Sequence, residues 1–598
     1  MSQYRPPLRD IRFVLHELLH AEDRYAKIPR YAECDAETMD SVLEEAGRFA
    51  AEVVFPLNAS GDAEGCHFHD GAVTTPKGFK EAYRQYVEAG WPALASAPEF
   101  GGQGLPELVN SVLMEMLNAT NQAWAMYPSL AHGAYTALLA YGSDAQKRAY
   151  VPRIVSGEWT CTMCLTEPQC GTDLGLLRTH AEPRADGSWS LSGTKMFISG
   201  GEHDLTDNIV HLVLARLPDA PAGSRGISLF VVPKFLFAAD GQLGAHNKVQ
   251  CASIEEKMGI HGNATCVLNF EGAQGWLVGE PHHGLQAMFV MMNGARLGVG
   301  IQGLGLTEVA YQNSLAYARE RLQMRSPTRR AMPDKPADPI IVHPDVRRML
   351  LTQKAWLEGA RALAYWASLL IDEAHAHPDE ATREQAAGLV ALLTPIAKAF
   401  LTENGFASTS LAMQVYGGHG YIRDNGMEQY LRDARITMIY EGTNTIQALD
   451  LLGRKVLGDS GAKLKALGAH IAGFVQQQAG VPALQPFCAA LLRLLEETTK
   501  VTLELGQKAL KNPDEAGAAA TPYLRVLGHV VFGYLWLRMA RVARDRLDAG
   551  ARGEEAFYQA KLATANYYFA KLFPEAFYQL GVVRAGSAPL MDFADEGF

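Results

Sequence analysis

One carboxylate stands out as a candidate for acid–base work. Glu441 sits in Ile439-Tyr-Glu-Gly-Thr-Asn-Thr-Ile-Gln447, among Ile439, Tyr440 and Ile446, with Ala448, Leu449, Leu451 and Leu452 close behind. Apolar surroundings disfavour the charged form of a carboxylate and raise its pKa toward neutrality. That suits a general base that takes a proton from carbon. Gly442 permits a sharp turn and close approach of a flat ligand. Thr443, Asn444 and Thr445 offer hydroxyls and an amide to a polar cofactor tail. Taken alone, the nonapeptide is equally a polar connection between two helices, with Glu441 near an N-cap. Other residues of chemical type point to less. Cys66, His67, His69 and Asp70 look metal-like, but no second ligand pair lies at a zinc-type spacing, so a surface turn is predicted. Cys161 and Cys164 form Cys-x-x-Cys in an apparent strand, where residues three apart face opposite sides, so they read as buried hydrophobes. His419, in Gly-Gly-His-Gly, reads as a loop residue rather than a catalyst.

The elements that must hold these residues change character twice along the chain. Up to about Trp159 the pattern is helical: 7–19, 35–54, 79–90, 108–121 and 129–141 repeat apolar residues at helical spacing, and 99–106 is a glycine- and proline-rich loop. Between 160 and 280 short branched-residue runs bounded by Gly, Pro and Asp replace them: 189–199, 209–217, 227–232 and 265–270. No helical pattern separates these runs, which predicts an antiparallel β-barrel or sandwich. From Gly284 long helices return, at 284–318, 346–373, 381–405 and 407–416, as in a helical bundle. After Leu457 a Gly-Asp-Ser-Gly turn opens a further helical segment, with a linker expected at 511–522. The fold class is therefore multidomain α+β: an N-terminal helical domain (1–159), a middle domain that is an antiparallel β-barrel or sandwich (160–280), a helical bundle carrying Glu441 (281–458) and an extra C-terminal helical domain (459–598).

A chain of 598 residues exceeds a single core, which agrees with several domains. Net charge is −11, which argues against nucleic acid as the main partner. Eight cysteines lie scattered without a disulfide framework, as in a reducing compartment. The opening residues have no signal-peptide core, and the longest apolar run, 526–537, is too short to span a bilayer. A soluble cytoplasmic protein is expected.

Four motifs occur in order: Leu165-Thr-Glu-Pro-Gln-Cys-Gly-Thr-Asp173, Gly193-Thr-Lys-Met-Phe-Ile-Ser-Gly-Gly201, Gln414-Val-Tyr-Gly-Gly-His-Gly-Tyr421 and Tyr440-Glu-Gly-Thr-Asn444. Each alone is weak; in this order and spacing the chain resembles the acyl-CoA dehydrogenase flavoprotein family. The resemblance is good from about residue 35 to 455. Over the whole length it is to the long branch with a C-terminal helical extension, which includes 3-methylmercaptopropionyl-CoA and bacterial fatty acyl-CoA dehydrogenases. It implies an antiparallel β-barrel for the middle domain. It also implies α,β-desaturation of an acyl-CoA thioester to the trans-2-enoyl-CoA, with Glu441 as the base and the β-hydrogen leaving as hydride to FAD. Charge that develops on the thioester oxygen needs aimed donors; in the family these are the base's own backbone N–H and a ribityl hydroxyl.

By motif position, the resemblance implies that Leu165 and Thr166 meet the flavin ring and that Phe197 and Ser199 lie against its other edge. Thr172 would lie near the thioester arm, and Asn293 and Arg296 near the pantetheine and adenine of CoA. Arg321 matches an arginine on the FAD pyrophosphate of a neighbouring subunit, with Gln323 on the same tail. Gln414, Gly417 and Gly418 match the backbone approach to the ADP part across a dimer interface, and Thr443 and Thr445 match FAD contacts. The chain departs from the family in three places: Phe197 stands where Trp is frequent, Gln169-Cys170 where Gly-Ala is frequent, and Met324-Arg325 where Phe-Gly is found. A homodimer that passes electrons to an electron-transfer flavoprotein is implied. Two alternatives share the fold: an acyl-CoA oxidase using oxygen, and a DNA-associated flavoprotein of the adaptive-response type. The latter needs a basic C-terminal face, yet residues 460–598 carry 15 Lys and Arg against 13 Asp and Glu. Only the cluster Arg538, Arg541, Arg544 and Arg546 favours it.

Overall fold

A computed structural model describes residues 2–238, 240–328, 330–551 and 553–598. Packing groups the chain into two compact units, Glu45–Gly298 and a discontinuous one made of Met1–Glu44 with Val299–Phe598. The first 44 residues thus group with the second of these units. The first 44 residues find their partners far along the chain: Tyr25 donates to Asp372 at 2.7 Å, Arg24 pairs with Glu373, and Arg9 pairs with Glu554 at 2.6 Å.

The helices in chain order begin with α1 (Leu8–Arg12), α2 (Ala21–Tyr25) and α3 (Ala36–Phe49). Then come α4 (Leu57–Glu64), α5 (Phe79–Glu88), α6 (Glu107–Tyr141) and α7 (Asp144–Val155). The helices expected at 108–121 and 129–141 both lie in α6, which is two helices joined at a kink at Asn121, where the backbone leaves helical geometry; the first ends where expected and the second begins earlier than 129. The segment around His67 and His69 is an exposed hairpin of β1 (His67–His69) and β2 (Ala72–Thr74).

The middle domain is built from β3 (Trp159–Cys164), β4 (His180–Pro183), β5 (Trp189–Ser199), β6 (Asn208–Arg216), β7 (Ile227–Pro233), β10 (Val249–Ile254) and β11 (Thr265–Val278), with a small separate ribbon of β8 (Phe235–Phe237) and β9 (Leu243–His246). The pairings run β11 to β5, β4, β6, β7 and back to β11, so five strands close into a barrel with β3 and β10 alongside. Most pairs are antiparallel, as expected, but β3 runs parallel to β6, and so does the short β4–β6 contact. The stretch 165–207, which holds the β4–β5 hairpin, supplies the crossover that a parallel neighbour needs. Alternation along β6 fills two cores. Val210, Leu212 and Leu214 face a cluster shared with α6 and α7, while Val213 and Ala215 face the barrel interior. Both faces of β6 are covered, which is why Ile209–Ala215 is apolar except for the buried His211. Cys161 belongs to the first cluster and Cys164 to the second, and both are free thiols.

The other unit is helical. α8 (Gly284–Glu320) belongs to it from Val299 onward, and α9 (Pro344–Ala376) and α10 (Glu380–Tyr416) are its other long members, followed by α11 (Met427–Arg435) and α12 (Asn444–Leu449). The segments expected at 381–405 and 407–416 are a single helix. By length and composition the stretch 380–421 could cross a membrane, but 72% of its most apolar window is buried inside the protein. The extension contributes α13 (Ala462–Gln476), α14 (Gln485–Ala509), α15 (Asp514–Asp548), α16 (Glu555–Tyr567), α17 (Glu575–Ala585) and α18 (Ala588–Met591). The linker expected at 511–522 is mostly the first turns of α15, because its alanines are strong helix formers.

Candidate active site

The residues expected to do chemistry fall into three groups, one in the barrel unit and two in the helical unit. In the barrel unit, the loop after β3 bears Leu165 and Thr166, and β5 bears Phe197 and Ser199. Met196 N–H donates to Thr166 O at 2.9 Å, which joins the two segments. A buried ion pair fixes them further. Lys195 Nζ donates to Glu167 Oε1 at 2.8 Å and to Leu165 O at 3.1 Å, and the two charged side chains are 0% and 3% exposed. Glu167 also accepts from Arg178 N–H, Thr179 N–H and the Gln169 side chain. Burial alone would raise the Glu167 carboxyl, but the Lys195 charge and these donors bring it down to about 2. Neither Glu167 nor Lys195 was singled out in the sequence, although both stand inside quoted motifs.

At the end of β5 the ladder bulges, and Met196 and Phe197 together stand opposite Val267. Phe197 takes a left-handed backbone with φ 59° and leaves its ring 56% exposed. Such a conformation costs about 1–3 kcal/mol for a bulky residue and clusters at functional sites. The bulge re-aims the ring outward. Leu165, Thr166 and Ser199 are half-buried, and Thr172 is exposed. In α8, Asn293 is exposed and Arg296 is buried, with Arg296 Nη1 donating to Asn293 Oδ1 at 3.4 Å.

In the helical unit, Glu441 and Gly442 are consecutive left-handed residues, φ 58° and 81°, immediately before α12. Thr443 caps that helix, its hydroxyl accepting from Ile446 N–H at 3.3 Å. The wholly buried Gln447 reaches back and donates to the carbonyls of both Glu441 and Gly442 at 3.2 Å. Asn444 accepts from the buried Lys398 at 2.9 Å. The carboxylate of Glu441 is half-buried, Thr445 is exposed, and Ile439 and Leu449 of the expected apolar wall are exposed, while Ala448, Leu451 and Leu452 are core. Gln447, Asn444 and Lys398 are thus what hold the turn.

The third group lies where α8 and α10 end. Tyr317 stacks on Tyr416 with centroids 4.0 Å apart, and its hydroxyl meets His419 Nδ1 at 2.8 Å. This brings the segment after α8, with Arg321 and Gln323, to the segment after α10, with Gly417 and Gly418. Gln414 is on the same end of α10. All five are exposed. Asp338, buried and missed in the sequence, organises the loop that follows Arg321. It accepts from the N–H groups of Ser326, Ala331 and Met332, which hold its carboxyl below the usual range. His419 is a brace here, as a loop residue would be.

Four family models cover the chain. The acyl-CoA dehydrogenase N-terminal, middle and C-terminal domains match residues 36–158, 162–273 and 282–457, and a model described as acetyl-CoA dehydrogenase C-terminal like matches 467–594. The chain belongs to the acyl-CoA dehydrogenase family. It is an FAD-dependent oxidoreductase that acts on the CH–CH group of acyl-CoA thioesters. Among its relatives, a 3-methylmercaptopropionyl-CoA dehydrogenase of Ruegeria pomeroyi is 43% identical, over 94% of this chain and 95% of the relative. A broad-specificity linear acyl-CoA dehydrogenase of Mycobacterium tuberculosis is 36% identical over 96% of each. The Caenorhabditis elegans ACDH-11 complex with C11-CoA shares the fold, with TM-score 0.80 at 19% identity over 99% of this chain and 96% of that one.

The residues of this acyl-CoA dehydrogenase fit FAD. Phe197 offers an exposed ring, Thr166 and Ser199 offer hydroxyls beside it, and Arg321 offers a cation for phosphate. At Gly417 and Gly418 a Cβ would meet nothing within 4 Å, so bare peptide groups are open to a ligand. The arginine cluster of the extension does not make a phosphate-tracking face. Arg541, Arg544 and Arg546 are each paired with a carboxylate, and Arg538 donates to Leu18 O at 2.5 Å.

Proposed function

We propose that this acyl-CoA dehydrogenase desaturates a short acyl-CoA thioester, either 3-methylmercaptopropionyl-CoA or a linear chain of comparable length, with Glu441 as the base. The left-handed Glu441–Gly442 turn, held by Gln447 and Thr443, is the observation that carries the assignment: strain of this kind persists where it serves function. The identity of 43% to a 3-methylmercaptopropionyl-CoA dehydrogenase, and of 33% to a butyryl-CoA dehydrogenase of Syntrophomonas wolfei, supports the short acyl group. Thr172, Asn293 and Arg296 would hold the CoA thioester. Leu165, Thr166, Phe197 and Ser199 would hold the flavin ring, and Thr443 and Thr445 its tail. Bound FAD supplies the acceptor for the β-hydrogen, which leaves with its electron pair. Glu441 takes the α-proton on a carboxylate oxygen, and the electrons of that C–H bond become the new double bond.

Arg321, Gln323, Gln414, Gly417 and Gly418 would bind the FAD tail of a second copy in a homodimer. Exposed Met324, Tyr421 and Ile422 beside them supply apolar area for that interface. An electron-transfer flavoprotein is the proposed acceptor, and a cytoplasmic role in acyl-CoA β-oxidation follows. The test is a turnover series across acyl-CoA lengths, including the methylthio-propionyl thioester, with a ferrocenium-type acceptor. A maximum at short chains is expected; a maximum at long chains refutes the acyl assignment, and peroxide formed under air makes the enzyme an oxidase. Glu441→Gln is expected to stay yellow with FAD and lose about 10²–10⁴-fold in kcat.

A further inference from the structure

α15 of the C-terminal extension packs against α10 and α12. From it Arg525, 13% exposed, reaches in two directions. Its Nε and Nη2 donate to the two oxygens of Glu575 at 2.8 Å each, and its Nη1 donates to Glu403 Oε2 at 3.2 Å and to Asn404 Oδ1 at 3.1 Å. The guanidinium also lies 4.5 Å over the Phe400 ring. Glu575 is backed by the buried His529, whose Nε2 is 3.3 Å away and whose Nδ1 meets the Tyr568 hydroxyl at 3.1 Å. The second oxygen of Glu403 accepts from Asn444 Nδ2 at 3.2 Å. Asn444 Nδ2 also lies within donating distance of Thr402 Oγ1 and Ala399 O, and Asn444 Oδ1 accepts from Lys398.

Asn444 opens α12, two residues after Gly442 and three after Glu441. Glu403 therefore gives one oxygen to the extension and the other to the helix that follows the base. An arginine fork selects such an arrangement, since its planar donors fix which oxygen faces them. We propose that the C-terminal extension sets the catalytic turn through the chain Glu575–Arg525–Glu403–Asn444, with Arg525 and Glu403 as positioning residues for Glu441. The inference rests on the assignment of Glu441 as base. The extension then has a task beyond covering apolar surface: it fixes the start of α12 against α10, and Gln447 passes that order to the two left-handed residues. A base displaced by a fraction of an ångström loses proton-transfer rate before it loses substrate binding.

The experiment compares Glu403→Gln, Arg525→Gln, their double variant and Arg525→Lys as full-length FAD-loaded enzymes, with 3-methylmercaptopropionyl-CoA and a ferrocenium acceptor. Glu403→Gln keeps the side-chain volume and leaves Arg525 paired with Glu575, so it remains informative where Arg525→Gln fails to fold. About a tenfold fall in kcat is expected in each single variant, with KM and the flavin spectrum within about twofold of wild type. The double variant is expected to lose no more than either single one, because both act through Asn444. Arg525→Lys keeps the charge but lacks the planar fork, and is expected to stay close to Arg525→Gln in kcat. Wild-type kcat in Glu403→Gln, or losses that multiply in the double variant, would overturn the proposal. Glu441→Gln is run alongside. If it turns over at the wild-type rate, the base assignment itself fails; if it is slow while Glu403→Gln is not, only the positioning chain fails.

Discussion

Lys195 and Glu167 show how two motifs become one wall. The pair is shut away from water, and the Lys195 ammonium also donates to Leu165 O, so a single cation joins β5 to the loop that carries Leu165 and Thr166. Lys195→Met strands a buried carboxylate and is expected to cost about 3–5 kcal/mol in chemical denaturation, with weakened retention of FAD on gel filtration. The pair also sets an acid limit. Glu167 titrates at about 2 in the folded chain against an ordinary 4.5. Above about 4.5 it is charged whether the chain is folded or not, and its stabilisation is fully present. As pH falls through 4.5 toward 2 the unfolded chain takes up the proton first, so this contribution is lost across that window. Melting temperature measured from pH 6 to 3 is expected to fall in the wild type and to depend less on pH in Lys195→Met. The linear sequence contains both residues, but nothing linear pairs them. The bulged register of β5 against β11 and the parallel docking of β3 make the contact, and neither was readable from spacing.

At the scale of elements, the α+β class, a mainly antiparallel middle domain and the long helices followed from apolar periodicity, while closure of the barrel is seen only in the strand pairings. The exceptions have physical causes. Phe197 was assigned from its motif, yet its left-handed backbone and outward ring come from the bulge opposite Val267. The alanine-rich run after residue 513 resembled a linker by composition but is helix by propensity, and Pro522 is accommodated within it. Glycines also had a role that composition hid. A Cβ on Gly303 would stand 2.9 Å from Leu401 O, and one on Gly405 would stand 2.8 Å from Gly303 O, so α8 and α10 cross backbone to backbone. This close crossing lies on the helix that bears Lys398 and Glu403. Gly405→Ala is expected to push the helices apart at a cost of about 1–3 kcal/mol, read as a lower melting temperature, together with a reduced kcat because Asn444 loses its fixed partners on α10.

For the whole molecule, the two chain ends share one compact unit. Lys561 on α16 is 3% exposed and lies 2.5 Å from Asp10 Oδ1 and 3.0 Å from Glu358 Oε2, so one ammonium from the extension ties the N-terminal segment to α9. Lys354 pairs with the same Glu358, and Arg361 pairs with Glu308. Phe13 packs edge-on against Phe557 at 5.6 Å, and Arg546 reaches Glu17 at 2.9 Å. Sequence order placed residues 1–44 with the helices that follow them. Several of their partners lie more than 300 residues away, which spacing along the chain does not show. Removing Lys561 therefore tests whether this closure holds the strap in place. Lys561→Met takes one cation from Asp10, whose side chain is 31% exposed, and from the buried Glu358, which keeps Lys354, so a cost of about 1–3 kcal/mol is expected. The strap, α1 to α2, is the smaller body and gives way first. Limited trypsin digestion is expected to cut the variant at Arg24, Lys27 or Arg30 several-fold faster than wild type, while the barrel unit resists cleavage in both. Equal rates of N-terminal cleavage would mean that the aromatic contacts alone hold the segment, and that the buried charges only match one another.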